Sequence, residues 1–266
     1  AMSTPHPLTK QFAVVFGGTS GIGAACAMKL AQEGATVTIV GRNAERGAAV
    51  LAALKEANGD ADHRFERCDV SLVANADRCA RDVVAARDGR LDILVLSQGV
   101  ASMGGRTPTA EDVDVKLSLH YFSRVAALRA ALPALAASES GGRVLSVLSG
   151  GVHSRFTNTD DFELRSSFSL ANAANAAGTY NDAALDALAC ADEHKRIVFV
   201  HAAPGFVDTR LGSDFVAPLR WLTRTVMTVA ARSPSDCANA LTRPLLDRDN
   251  FKPGFHVVNP KGNAIA

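Results

Sequence analysis

The stretch Gly17-Gly18-Thr19-Ser20-Gly21-Ile22-Gly23 constrains this chain more than any other. It stands between an apolar run, Phe12-Ala13-Val14-Val15-Phe16, and a helix-forming stretch from Ala24 to Glu33. The order is strand, tight turn, helix. Gly17 permits the turn, Gly21 lets backbone approach a pyrophosphate, and Gly23 lets the helix sit close on the strand. A phosphate then meets free N–H groups at a helix N-terminus, with Thr19, Ser20 and Ile22 completing the cradle. A glycine pattern alone also fits a bare turn. The following run, Thr36 to Val40, reads as a strand at the spacing a βαβ unit needs, and it ends on Gly41-Arg42-Asn43. An acidic residue there would bond ribose hydroxyls and repel a 2′-phosphate. Arg42 can pair with that phosphate, or stand as a solvated surface arginine. NADP(H) is the expected cofactor.

Further strand-like runs, Arg64 to Cys68, Ile93 to Leu96, Val144 to Leu148, Ile197 to His201 and Phe255 to Val258, alternate with helical patterns. The helices are expected over 43–57, 71–87, 111–137, 172–191 and 234–246. Such alternation implies an α/β fold, a single Rossmann-type doubly wound parallel sheet with helices on both faces. The 266 residues and 47% hydrophobic content suit one domain over 1–266 with a large core. Residues 1–10 are expected to be flexible. Residues 150–169 are polar and poorly periodic, and they read as an active-site loop. Residues 212–230, with Phe215, Leu219, Trp221 and Leu222, suggest a substrate lid.

Charge and cysteine usage exclude several classes. With 28 Lys plus Arg against 27 Asp plus Glu, the net charge of +1 leaves no footprint for nucleic acid or an anionic membrane, so a small-molecule substrate is expected. No stretch approaches a bilayer-spanning run, since Val125 to Ala137 is interrupted by Arg129 and Pro133. Cys26, Cys68, Cys79, Cys190 and Cys237 form no Cys-x-x-Cys pair, which suggests reduced thiols and no metal site. The opening Ala1-Met2-Ser3-Thr4-Pro5-His6-Pro7 has no apolar signal core, so a cytoplasmic location is expected.

Four landmarks in order carry a resemblance. They are the glycine turn, Asp69-Val70, Leu96-Ser97-Gln98-Gly99, and Pro204-Gly205-Phe206-Val207-Asp208-Thr209. With them the whole chain resembles a short-chain dehydrogenase/reductase. The resemblance implies hydride transfer on a Rossmann sheet. It places Asp69 and Val70 at adenine, sets Leu96-Ser97-Gln98-Gly99 where the family has Asn-Asn-Ala-Gly, with Ser97, Gln98 and Gly99 at the cofactor, and puts Pro204, Gly205, Val207 and Thr209 at the nicotinamide. Phe16 stands where the family usually has Thr, which should cost one turn-stabilising bond.

The family's catalytic set is Asn, Ser, Tyr and Lys, and only the serine is plainly present. Ser149 falls at the end of the fifth strand, where the family serine bonds a substrate carbonyl. His120 takes the asparagine position, able to donate a hydrogen bond or merely pack. If Tyr180 is the family tyrosine, the lysine position is Ala184. If the helix is matched through Ala183-Ala184-Leu185-Asp186-Ala187-Leu188, Asp182 takes the lysine position and Gly178 the tyrosine position. The second register keeps the apolar face of the helix without a gap and is preferred.

An anion in place of that lysine favours a cationic substrate over an oxyanion. The sharper expectation is therefore reduction of an iminium or similarly activated C=N group, with Asp182 as electrostatic partner and Ser149, Tyr180 and His120 shaping the pocket. Asp182 is as readily a surface carboxylate. Arg124, a turn beyond His120, is a further candidate, although a solvated arginine is the simpler reading. A divergent group of this superfamily in indole-alkaloid biosynthesis is similar in its missing residues; it reduces an iminium and directs an intramolecular Diels–Alder closure. Competing readings are a carbonyl reductase using Tyr180 without lysine and a non-catalytic NADP(H)-binding regulatory protein. The helices at 111–137 and 172–191 correspond to those through which many relatives associate, so a homodimer or homotetramer is expected.

Overall fold

The structure is a computed structural model that describes residues 6–205, 207 and 232–265. Its eight strands are β1 (Phe12–Phe16), β2 (Thr36–Gly41), β3 (Arg64–Arg67), β4 (Ile93–Leu96), β5 (Arg143–Val147), β6 (Val198–Ala202), β7 (Gly254–Val258) and β8 (Ala264–Ile265). They form one sheet in the order β3-β2-β1-β4-β5-β6-β7-β8. Every pairing is parallel except β7 with β8. This is the doubly wound Rossmann-type sheet expected. The antiparallel β8 was not foreseen, because two residues are too short for a period.

Alternation along the strands explains the two-faced core. In β1, Ala13 and Val15 point into one apolar layer with Cys26, Ala27 and Leu30, while Phe12, Val14 and Phe16 point into the other with Ala80, Val83, Leu128 and Leu135. Both faces are covered, so the strands read as continuous apolar runs. The helices among the described residues are α1 (Gly21–Gln32), α2 (Ala44–Ala57), α3 (Val73–Ala85), α4 (Ser123–Ala137), α5 (Leu170–Ala189), α6 (Pro234–Leu241) and α7 (Arg243–Leu246).

Three boundaries depart from expectation for local reasons. Residues 111–114 are not helical: Asp112 has φ 58°, and the buried Asp114 caps a helical turn Val115–Leu117 by accepting from the N–H groups of Lys116 and Leu117. That turn runs into a π-helical turn, Ser118–Phe122, before α4. The 234–246 helix is broken at Thr242, beside Pro244, which cannot donate within α6. Residues 6–10, expected to be flexible, form a turn in which Leu8 is buried and its N–H bonds Glu33 O. The expected lid at 212–230 lies outside the described residues. No described helix is long and apolar enough to cross a membrane.

Candidate active site

The C-terminal ends of β1, β2, β4, β5 and β6 meet on one edge of the sheet. At β1, Gly17 has φ 75°, and a Cβ there would lie 2.6 Å from Gln98 N; a Cβ on Gly23 would lie 2.2 Å from Gly17 O. Glycine is therefore needed at both for the turn to nest between β4 and α1. Ser20 opens α1 in extended conformation without a side-chain cap, and the first turn has no acidic residue. Among the described residues the N–H groups of Gly21, Ile22 and Gly23 have no acceptor. They form a place for an anion. Thr19 packs over Gly41 at the end of β2, where Arg42 is exposed. Arg67, which sequence reasoning passed over, is also exposed and pairs with Gly41 in register.

The remaining cofactor candidates are spread along the same edge. Asp69 is exposed and its Oδ1 accepts from Ser71 N at 3.0 Å, while Val70 is buried in the core. Ser97 N donates to Phe16 O at 3.0 Å. Gln98 is 4% exposed, and both atoms of its carboxamide lack a partner among the described residues. A buried amide in that state suits a polar ligand group. Gly99 lies against His120. Pro204 and Gly205 follow β6, with Gly205 at φ 70°, and Val207 is buried. Thr209 lies outside the described residues. The cradle, the orphaned amide and the two arginines fit a phosphorylated dinucleotide. A depression of about 420 Å³ lined by Lys10, Phe12, Arg64, Arg87 and Arg90 lies at the opposite, N-terminal ends of the strands, away from this chemistry.

The π turn is where buried polar groups converge. Arg124, expected to be solvated, is 2% exposed. Its Nε donates to Leu119 O (3.1 Å), Nη1 to Ser146 Oγ (3.0 Å) and Val147 O (2.9 Å), and Nη2 to Gln98 O (2.5 Å). Burial lowers its pKa to about 9. Leu119 O, on the π turn, thus accepts from a buried side chain. Asn181 Nδ2 does the same for His120 O at 2.8 Å, and Asn181 Oδ1 accepts from Ser146 Oγ at 2.9 Å. His120 Nε2 accepts from Val100 N at 3.2 Å; burial, then the charges of Arg124 and Lys116, lower its pKa to about 3. His120 is therefore a neutral acceptor.

Ser149 and Asp182 do come together, with two histidines that sequence reasoning missed. His201, fully buried on β6, accepts from Ser149 N through Nε2 (3.2 Å) and faces Asp182 Oδ1 through Nδ1 (2.5 Å). Burial lowers its pKa, against the opposing pull of Asp182. His153, from the loop after β5, has Nδ1 2.9 Å from Ser149 O and 3.5 Å from Ser149 Oγ, and Nε2 3.3 Å from Asp182 Oδ2. It lies against Gly178, where a Cβ would fall 2.4 Å from His153 Cγ.

Tyr180 does not join this group. Its ring stacks on Phe162 at 4.1 Å, its hydroxyl donates to Phe162 O at 3.3 Å, and Tyr121 and Phe156 pack beside it. The 150–169 segment is divided between the two clusters: His153 at the serine, and Phe156 and Phe162 with the aromatics. Asp161 organises its end, accepting from the N–H groups of Arg165, Ser166 and Ser167. The signal for His153 in the sequence was indirect, a glycine where a large side chain is usual and a longer segment after Ser149. All five cysteines are free, and no metal-ligand cluster occurs among the described residues.

A family model described as short chain dehydrogenase matches residues 11–160. The chain is 36% identical over 210 residues to oxidoreductase AN1596 of Emericella nidulans, covering 78% of this chain and 62% of that protein. It is 34% identical over 216 residues to oxidoreductase andH of Emericella variicolor, covering 79% and 63%. These matches span less than two thirds of either fungal relative. Among solved structures, a metagenomic short-chain oxidoreductase in complex with NADP is similar with a TM-score of 0.69 at 24% identity, covering 96% of this chain and 99% of that one. That likeness shows the fold.

Proposed function

The chain belongs to the short-chain dehydrogenase family, and from that membership we propose that it is an NADP(H)-dependent oxidoreductase acting on a small organic molecule. The observation that carries this reading is the uncapped, acid-free N-terminus of α1 behind Gly17, with Arg42 exposed at the end of β2. The bound dinucleotide would supply hydride. The N–H groups of Gly21, Ile22 and Gly23 would hold its pyrophosphate, Arg42 and Arg67 its 2′-phosphate, and Gln98 and the Pro204-Gly205 turn would lie toward the nicotinamide.

The substrate class we assign is an activated C=N group. Asp182 supports this, being the one carboxylate in contact with the Ser149 cluster among the described residues, with 32% of its side chain open. An anion beside the reacting carbon stabilises an iminium and disfavours an alkoxide. The aromatic wall of Tyr121, Phe122, Phe156, Phe162 and Tyr180, on and beside the helix that carries Asp182, offers an apolar surface for a polycyclic substrate. A coupled intramolecular Diels–Alder closure would use that wall. Ketone reduction through Tyr180 loses support, since its hydroxyl is engaged away from Ser149. The five free thiols favour the cytoplasm, and assembly as a homodimer or homotetramer remains our expectation.

Titration with NADPH and NADH, read by calorimetry, tests the cofactor. NADPH should bind more tightly, and Arg42→Ala should weaken it by about tenfold or more while leaving NADH unchanged, the loss expected for one charge-assisted phosphate contact. Equal binding of both by the unaltered protein would overturn the assignment of Arg42.

A further inference from the structure

Resting on the reductase reading, we propose that His153 is the acid of this site: it passes a proton from Nδ1 through the Ser149 hydroxyl to the nitrogen of a neutral imine, with Asp182 and His201 as positioning residues. The chain has two tyrosines, Tyr121 and Tyr180, and both lie in the aromatic cluster. No phenol reaches Ser149. The space that a side chain at residue 178 would fill is occupied instead by an imidazole, since a Cβ on Gly178 would fall 2.4 Å from His153 Cγ, 2.6 Å from Nδ1 and 2.7 Å from Ser149 Oγ.

The ring's partners define its protons. Ser149 O and the Asp182 carboxylate only accept, and they face Nδ1 at 2.9 Å and Nε2 at 3.3 Å. The Nδ1 contact is satisfied by a proton on Nδ1, and the Nε2 approach to Asp182, at ion-pair distance, favours a second proton on Nε2, the form in which His153 acts as an acid. His201 cannot take this part. Its Nε2 is filled by Ser149 N, so its Nδ1–H is left to fix the other carboxylate oxygen. The groups facing His153 are Asp182 from α5 and His201 from β6, whose ring centroid is 6.0 Å away, with the buried Arg124 bearing on His201 from α4.

The charges then balance through the reaction. The imine nitrogen gains a proton through Ser149, becoming an iminium as His153 becomes neutral, so Asp182 exchanges one cationic partner for another. Hydride at carbon, which a bound dinucleotide would supply with its own oxidation, would then give the amine. His153, with 9% of its side chain exposed, recovers its proton from water. A neutral imine, rather than a preformed iminium, is therefore the substrate class.

The test compares two probes in NADPH oxidation, 3,4-dihydroisoquinoline and its N-methyl iminium salt, which needs no proton. His153→Gln should lower kcat/KM for the imine by about 100-fold or more, as loss of a general acid does, and the iminium by far less. Equal losses for both, or no loss for the imine, would overturn the proposal. NMR of histidine imidazole nitrogens in the full chain, with His153 assigned through the same variant, reads the pairing without substrate. The ring-nitrogen signals of His153 should show a proton at Nδ1, and Asp182→Asn should move the Nε2 signal. No proton at Nδ1, or an Nε2 signal indifferent to Asp182→Asn, would overturn the pairing and the proposal with it. Failure of the unaltered protein to bind NADPH would instead count against the reductase reading, and the NMR result would still decide the pairing of His153 with Asp182.

Discussion

His120, expected from the family pattern at the asparagine position as a hydrogen-bond donor or a packing residue, lies beside Gly99 and serves the fold as a neutral acceptor for Val100 N. Burial, then Arg124 and Lys116, bring its pKa to about 3, against about 6.5 in the unfolded chain. Between these values the unfolded chain binds the extra proton, so stability is present above pH 6.5 and is lost as pH falls toward 3. The loss approaches about 5 kcal/mol at full protonation. Denaturant titrations at pH 7 and pH 4.5 should show a smaller drop in His120→Asn than in the unaltered protein. Ser149 was singled out by the strand end that its flanking sequence marks, and Asp182 by the preferred of two helix registers. His153 was not, because nothing local to a loop histidine says which helix position lacks a side chain.

The π turn between Val115–Leu117 and α4 is the element that most distinguishes the site's floor. Periodicity over 111–137 reads as one helix, and no residue type marks where a turn widens. What sustains it is distributed among elements: Arg124 from α4 reaches a carbonyl after β4 and one at the last residue of β5, and Asn181 from α5 reaches His120 O. Arg124→Met should leave four acceptors without their donor and cost roughly 2–4 kcal/mol, since bonds to a buried charged donor are individually worth about 1.5–3 kcal/mol and relax in part. Chemical denaturation would measure it. Loss of less than about 1 kcal/mol would mean that the turn persists without the guanidinium. By contrast α1, α2, α3 and α5 were legible to within a few residues, because their apolar spacing is encoded locally, with Asn43 and Ser169 capping α2 and α5.

The molecule as a whole shows its parallel, doubly wound sheet and two-sided core in the sequence, because strands buried on both faces leave uninterrupted apolar runs. The short β8 and the turn at residues 6–10 are held by tertiary contact instead, Ile265 against Gly151 and Leu8 in the core. NADPH at about 100 times its Kd should stabilise the chain by about 2.7 kcal/mol. For a protein of this size that is roughly 5–10 °C in Tm, readable in a thermal scan, with NADH giving less. The seating of His153 over Gly178 also bears on how such a site could arise or be undone. An imidazole and a tyrosine ring cannot share that volume, so Gly178→Tyr alone should collide with His153 and unfold or distort the loop, whereas Gly178→Tyr with His153→Ala should fold. A lineage moving between the two chemistries would have to change both positions, and the route between them is epistatic rather than a ladder of independent steps.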